Sequence, residues 1–306
     1  MALHQPQRGS ALLIALVAVA LATVIAVSLL ERAQSAMSRT EALIASERSY
    51  QFALGMNALV EDALEQAQAE GLSPAAMSGV WTPPYEVPGG LVQGRLLDRQ
   101  GRFNLNALAN SDPVLARQAE AAFERLLDQL GIPRSVSGEL ADWMEGDAAI
   151  RSGSVGDFWY QAQQPPYRMS GVMLSHVSEL RWLRSVDQGV YDALRPHVAA
   201  LPERNLQINI NTTTPEVLAG LIEALDFASA RRILADGPFS DPAQVRSHPL
   251  LVNRLTPDLE RLLIVDSRWF LAQARVRLGG VERDFFRLLN INGSGYDFRY
   301  VSQGIP

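Results

Sequence analysis

The chain has 306 residues, 47% of them hydrophobic, with a formal net charge of −6 and no cysteine. The acidic balance argues against nucleic acid or anionic lipid as the main partner. The lack of cysteine excludes disulfides and thiolate metal sites.

The chain opens on a short leader whose one charged residue is Arg8. Gly9 and Ser10 follow, then an apolar run from Ala11 to Leu30. About 20 such residues, at ~1.5 Å rise each, span one membrane as a helix. Only Thr23 and Ser28 are polar within it, and such hydroxyls bond back to helix carbonyls. Arg8 on the leader side favours a cytoplasmic N-terminus, with the bulk of the chain in the periplasm. Three readings are open on these residues: a cleaved secretory signal, a retained anchor, or a leader cut between Gly9 and Ser10 with the apolar helix kept. The run exceeds the ~7–15 apolar residues of a secretory signal, and Leu29-Leu30-Glu31-Arg32 is no small-residue cleavage site.

A polar leader ending in basic-Gly, then a long retained apolar helix, resembles the type IV prepilin family. The resemblance implies a membrane peptidase that cuts after Gly9 and methylates Ser10. Ile14 stands at the fifth mature position, where most prepilins carry Glu. That Glu is thought to neutralise the amino terminus of the next subunit, since an isolated buried charge is costly. A subunit at the end of a filament has no such need.

Helix-forming residues continue to about Glu70, with Gly55 the one weak point. Phe52, Met56, Leu59, Ala63 and Ala67 mark one apolar stripe. One helix from Ala11 to near Glu70 is therefore expected, roughly 90 Å long. Gly71, Pro74, Pro83, Pro84, Pro88, Gly89 and Gly90 mark a loop. Leu91 to Phe103 is strand material with a turn at Gln100-Gly101. The pattern is then mainly helical to about Val265. Val114 to Leu130 is an amphipathic helix stopped by Gly131, and Val136 to Met144 is another. Shorter ones cover Leu180 to Leu183, Val190 to Leu194, Pro215 to Leu225, Ala228 to Ala235 and Pro257 to Ile264. From Trp269 the period becomes two; Gly279-Gly280 is a hairpin turn, and Val281 to Leu289 a second strand. The glycines after it suggest an irregular tail.

A strand at one end and a hairpin at the other most simply rejoin in one antiparallel sheet covering the stripe of the long helix. The expected fold is α+β, with residues 1–9 as leader and 10–30 as transmembrane helix. Residues 31–104 and 266–306 form a pilin-like core, and 105–265 an inserted helical domain.

The most pointed side-chain cluster is Leu140-Ala141-Asp142-Trp143-Met144-Glu145-Gly146-Asp147, then Gly153 to Tyr160. Asp142, Glu145, Asp147 and Asp157 lie at a helix end and in a Gly-containing loop, which suits a calcium ion or a solvated acidic turn. Gly101-Arg102-Phe103-Asn104-Leu105-Asn106 and Ile208-Asn209-Ile210-Asn211-Thr212-Thr213-Thr214-Pro215 are two further distinctive runs. In the second, Thr214 or Thr213 can cap a helix begun by Pro215. Its wording is also that of helix-hairpin-helix DNA-binding modules. Leu225-Asp226-Phe227 stands where their phosphate-binding turn would be, so the segment is expected to pack and not to bind DNA. His4, His176, His197 and His248 are not spaced as metal ligands, and no nucleophile elbow or phosphate loop is present, so no enzyme is indicated.

Together these runs resemble the type II secretion minor pseudopilin K family, over nearly the whole chain. That family carries Asp-Trp-x-Asp-x-Asp and Gly-Ala-Glu-Asp-x-x-Tyr runs near bound calcium. Here Asp142, Trp143, Asp147, Asp157 and Tyr160 match, while Glu145 and Gly156 depart. The resemblance implies a tip subunit that initiates the pseudopilus exporting folded proteins. Its partners would be minor pseudopilins I and J, pseudopilins H and G, and the prepilin peptidase, all at the bacterial inner membrane. Alternatives are a minor pilin of a type IV pilus or competence system that contacts DNA, and an uncleaved, membrane-anchored periplasmic binding protein.

Overall fold

The structure, a computed structural model, describes residues 8–146, 154–292 and 295–303. Helix α1 (Arg8–Ala69) is one unbroken rod. Its apolar side chains from Leu12 to Leu30 are exposed, as a membrane span requires. Farther along, Ala53, Met56, Leu64 and Ala67 are buried. Met56 and Ala67 of the expected stripe are buried and Phe52 packs beside them, but Leu59 is 38% exposed, and Leu64 packs against the sheet in its stead. Burying a side chain of Leu or Met size contributes about 1.5–3 kcal/mol, so this second half of α1 is held by packing.

The sheet combines β1 (Tyr85–Val87), β2 (Gly90–Asp98), β7 (Trp269–Leu278), β8 (Val281–Asn292) and β9 (Gly295–Gln303). It is antiparallel in the order β1-β2-β7-β8-β9. Val92 pairs with Val276, Gly94 with Ala274 and Leu96 with Ala272, so period-two alternation turns these side chains toward α1. Gly94 allows close approach, because a Cβ there would meet the Met56 Cε at 2.2 Å. Gly279 and Gly280 make the β7–β8 turn, with φ of 55° and 80°. The tail expected to be irregular is instead strand β9 from Gly295 to Gln303.

Between β2 and β7 the chain makes two helical units of one plan. The first runs through β3 (Phe103–Asn104), α2 (Pro113–Gln129), α3 (Ser135–Glu145), α4 (Asp157–Gln161), a 3-10 turn (Val177–Trp182), α5 (Gln188–Leu194) and β4 (Val198–Ala199). The second runs through β5 (Ile208–Asn209), α6 (Pro215–Leu221), α7 (Phe227–Ala235), α8 (Pro242–Ser247), α9 (Pro257–Leu262) and β6 (Leu263–Ile264). In each unit the first short strand pairs in parallel with the last, β3 with β4 and β5 with β6.

Each unit also begins with an Asn-x-Asn pair whose second Asn does the same work in both. Asn106 Nδ2 donates to the carbonyls of Leu174 and Leu201, and its Oδ1 accepts from the Leu174 N–H. Asn211 Nδ2 donates to the carbonyls of Phe239 and Val265, and its Oδ1 accepts from the Phe239 N–H. Both amides thus clip the middle and the end of a unit to its start. By this correspondence residues 146–173 of the first unit, the acidic loop among them, stand where the second has only 236–238. The units pack through α2 and α6, so closely that a Cβ on Gly220 would lie 3.0 Å from the Leu126 backbone.

Candidate functional site

Three places carry the residues singled out from sequence: the start of the rod, the acidic loop, and the joint between sheet and helical units. At the rod, Gly9 and Ser10 lie in the first turns of α1. Ile14 is 67% exposed on its surface.

At the acidic loop, Asp142 sits inside α3, only 1% exposed. Glu145 is the exposed last residue of that helix. Asp157 opens α4, where its Oδ1 accepts from the Met169 N–H at 2.9 Å and its Oδ2 from Gln161 at 2.5 Å, with Arg168 3.9 Å away. Asp147 falls outside the described residues. Among the described residues no three acidic or histidine side chains come close enough to hold a metal ion.

The group that organises this loop is Glu139, which the sequence reading missed. Glu139 is 1% exposed. It accepts from the Tyr160 hydroxyl at 2.8 Å, from the Arg184 N–H at 2.5 Å and from the Ser185 N–H at 3.1 Å. One carboxylate thus ties α3 to the loop and to the chain after the 3-10 turn. Burial, then the bond to Glu139, pushes the Tyr160 hydroxyl well above the usual phenol range, so it stays a donor. The Trp143, Tyr167 and Trp159 rings pack around the Tyr160 ring, with centroids 5.1 to 5.4 Å from it. A signal for Glu139 existed: it is a charge among Val136, Leu140 and Trp143, on the buried side of α3.

At the joint, the carboxylate of Asp98 gathers three stretches of chain. Its Oδ1 accepts from the N–H groups of Gln100 (2.7 Å) and Gly101 (3.3 Å). Its Oδ2 accepts from Asn209 (3.1 Å), Thr212 (2.8 Å) and Ser267 (2.7 Å). Gly101 is required there, since a Cβ would lie 2.5 Å from the Thr212 carbonyl oxygen. Burial raises the Asp98 pKa, and its hydrogen bonds oppose that shift. Ala199 and Leu201 of the first unit pack with Trp269 and Leu288 of the sheet beside it. The Asn-Ile-Asn-Thr run is thus an internal clasp. Thr214 caps α6 and also bonds His197, while Asp226 caps α7 through the Ser229 N–H. His176 caps the 3-10 turn in a capping box with Glu179.

Comparison with known proteins matches these segments. Residues 101–203 and 208–258 each match the sequence family described as type II secretion system (T2SS), protein K, one match per helical unit. The type II secretion system protein K of Pectobacterium carotovorum is 29% identical, over 94% of this chain and 93% of its own. That of Pseudomonas aeruginosa is 32% identical, over 76% of this chain and 73% of its own. One chain of the crystal structure of the GspK-GspI-GspJ complex from enterotoxigenic Escherichia coli shares the fold, with a TM-score of 0.69 and 24% identity. The match covers 85% of this chain and 99% of that one. An apolar rod, a pilin-like sheet and two clipped helical units, together with these matches, show that the chain belongs to the type II secretion system protein K family.

Proposed function

We propose that this chain is the minor pseudopilin at the tip of the type II secretion pseudopilus, where it initiates assembly for the export of folded proteins. One observation carries the reading: α1 is a single helix, bare and apolar in its first half and packed on a sheet in its second. Such a rod sits in the inner membrane and then, once extracted, in a bundle of like rods, where apolar packing replaces lipid. The two helical units widen the far end, and Ile14 offers no carboxylate to a subunit above it. Both suit the first position in a fibre. The solved relative is titled as a complex with GspI and GspJ. We extend that partnership to this chain. No step of the proposed role is catalytic.

The test is co-expression of the full chain with a prepilin peptidase, followed by mass measurement of the N-terminus. The expected product begins at N-methylated Ser10. A chain that keeps Met1 in cells competent for export overturns the proposal and favours an uncleaved anchor.

Calcium in the acidic loop is a second proposal, and it turns on Asp147 joining Asp142, Glu145 and Asp157. A ligand bound only by the folded chain at about 100 times its Kd adds about 2.7 kcal/mol. Millimolar calcium should therefore raise the melting temperature of the wild type and leave Asp147→Ala unmoved. Equal shifts in both, or none, would remove calcium from the account.

A further inference from the structure

A groove of about 1430 Å³ lies where the rod meets the helical units. One wall is the end of α1 and the loop after it, through Leu64, Glu65 and Leu72. The other is the second unit and the link from β6 to β7, through Phe239, Val265 and Asp266. We propose that this groove receives a membrane-distal loop of a neighbouring pseudopilin, one carrying basic and apolar side chains. The inference rests on the assembly reading above and locates its contact.

Size comes first. The volume exceeds the ~300–1,000 Å³ of small-molecule pockets, and such sites favour boundaries between domains. A polypeptide segment fits it better than a metabolite. Charge comes second. Glu65 and Asp266 stand exposed on opposite walls, and Asp266 accepts from the Ser73 hydroxyl of the facing loop at 2.5 Å. Arg268 is the one basic residue in the lining, and it faces Glu203 at 3.7 Å and Gln207 at 3.5 Å. The lining therefore carries two acids against one base, set among mixed polar and apolar side chains. Leu72, 50% exposed, offers a hydrophobic contact at the rim.

Height comes third, and it selects the occupant. The groove lies at the Ala69 end of α1, a helix of 62 residues that spans roughly 90 Å at 1.5 Å per residue. A sister subunit anchored in the same membrane by a similar rod carries its own far end to that level. A freely diffusing exported protein has no such register.

The test uses the full-length chain co-expressed with pseudopilins I and J and purified in detergent. A benzophenone side chain is placed at Leu72, or at Val252 as an exposed position outside the groove. The Leu72 probe should crosslink to a sister subunit and the Val252 probe should not. The pair Glu65→Lys and Asp266→Lys should lower recovery of the complex about tenfold, and Glu65→Lys alone, which leaves the Ser73–Asp266 bond in place, should lower it in the same direction. Undiminished recovery with no Leu72 adduct would overturn the docking site and leave the assembly reading standing. An adduct with an exported protein in place of a sister subunit would also overturn it. If the wild-type chain recovers neither sister subunit, the assembly reading fails and takes the docking site with it.

Discussion

Replacing Asp98 with Ala should unfasten the helical units from the sheet, at a cost of about 4 kcal/mol or more in stability. The carboxylate accepts from Gln100, Gly101, Asn209, Thr212 and Ser267, and Ala removes every acceptor at once. Each buried donor left unpaired costs ~1–3 kcal/mol, and partial relaxation keeps the sum below its ceiling. Loss should begin at the joint, so amide exchange should quicken first around Gly101 and Thr212, before α2 or β7. Asp98→Asn separates charge from shape, keeping one acceptor oxygen and turning an amide toward the other donors. The pH dependence has a definite sign. Burial raises the folded pKa of Asp98 above the ordinary 3.8, so the folded chain binds this proton before the unfolded one does. Its contribution to stability therefore grows as pH falls through the folded value and is complete below 3.8. The gap in melting temperature between wild type and Asp98→Asn should widen toward acid. A gap that closes instead, or an Ala variant that melts like wild type, would mean that the joint is held by the apolar contacts of Trp269 and Leu288 alone.

The outline of this fold is legible in the sequence because its largest elements obey one period each. The apolar run and its helical continuation give α1, Pro113 to Gln129 gives α2, and the switch to period two around Gly279-Gly280 gives β7 and β8. What escapes is whatever depends on residues far apart. Asn106 and Asn211 look like turn residues locally; only their bonds to Leu174, Leu201, Phe239 and Val265 make them clips, and only then do the two units show as one plan. Asp98 likewise looks like a strand-end carboxylate until Thr212 and Ser267 arrive from more than 100 residues away. Strand β9 is hidden by the glycines that flank its start. The rod stripe is misread at one position, because Leu59 and Leu64 both continue the period from Met56, and hydrophobicity alone does not choose between them. At the acidic loop, the carboxylate of Glu139 escapes because its partners Tyr160, Arg184 and Ser185 lie 21 to 46 residues away.

That carboxylate sets the other large effect. Glu139→Ala should destabilise the first helical unit by about 3 kcal/mol, since it strands the buried Tyr160 hydroxyl and the part-buried Arg184 and Ser185 N–H groups. Glu139→Gln should cost less, because its one carbonyl oxygen still accepts while its amide faces donors. The damage should be local. Residues 146–173 are an addition to a plan that the second unit completes without them, and Glu139 is the main polar tie between that addition and α3. Tryptophan fluorescence offers a direct measure, because Trp143 and Trp159 both pack edge-on against Tyr160. In Glu139→Ala their emission should shift to the red at temperatures where the sheet still holds. Tyr160→Phe gives the complementary control, since it removes one donor and keeps the ring packing, and it should cost only about 1 kcal/mol. If Glu139→Ala and Tyr160→Phe prove equally mild, the aromatic stack holds the loop and the carboxylate is dispensable. If the Ala variant instead melts the whole chain in one step, the first unit and the sheet form a single cooperative body, and the addition is as much a part of it as the rod.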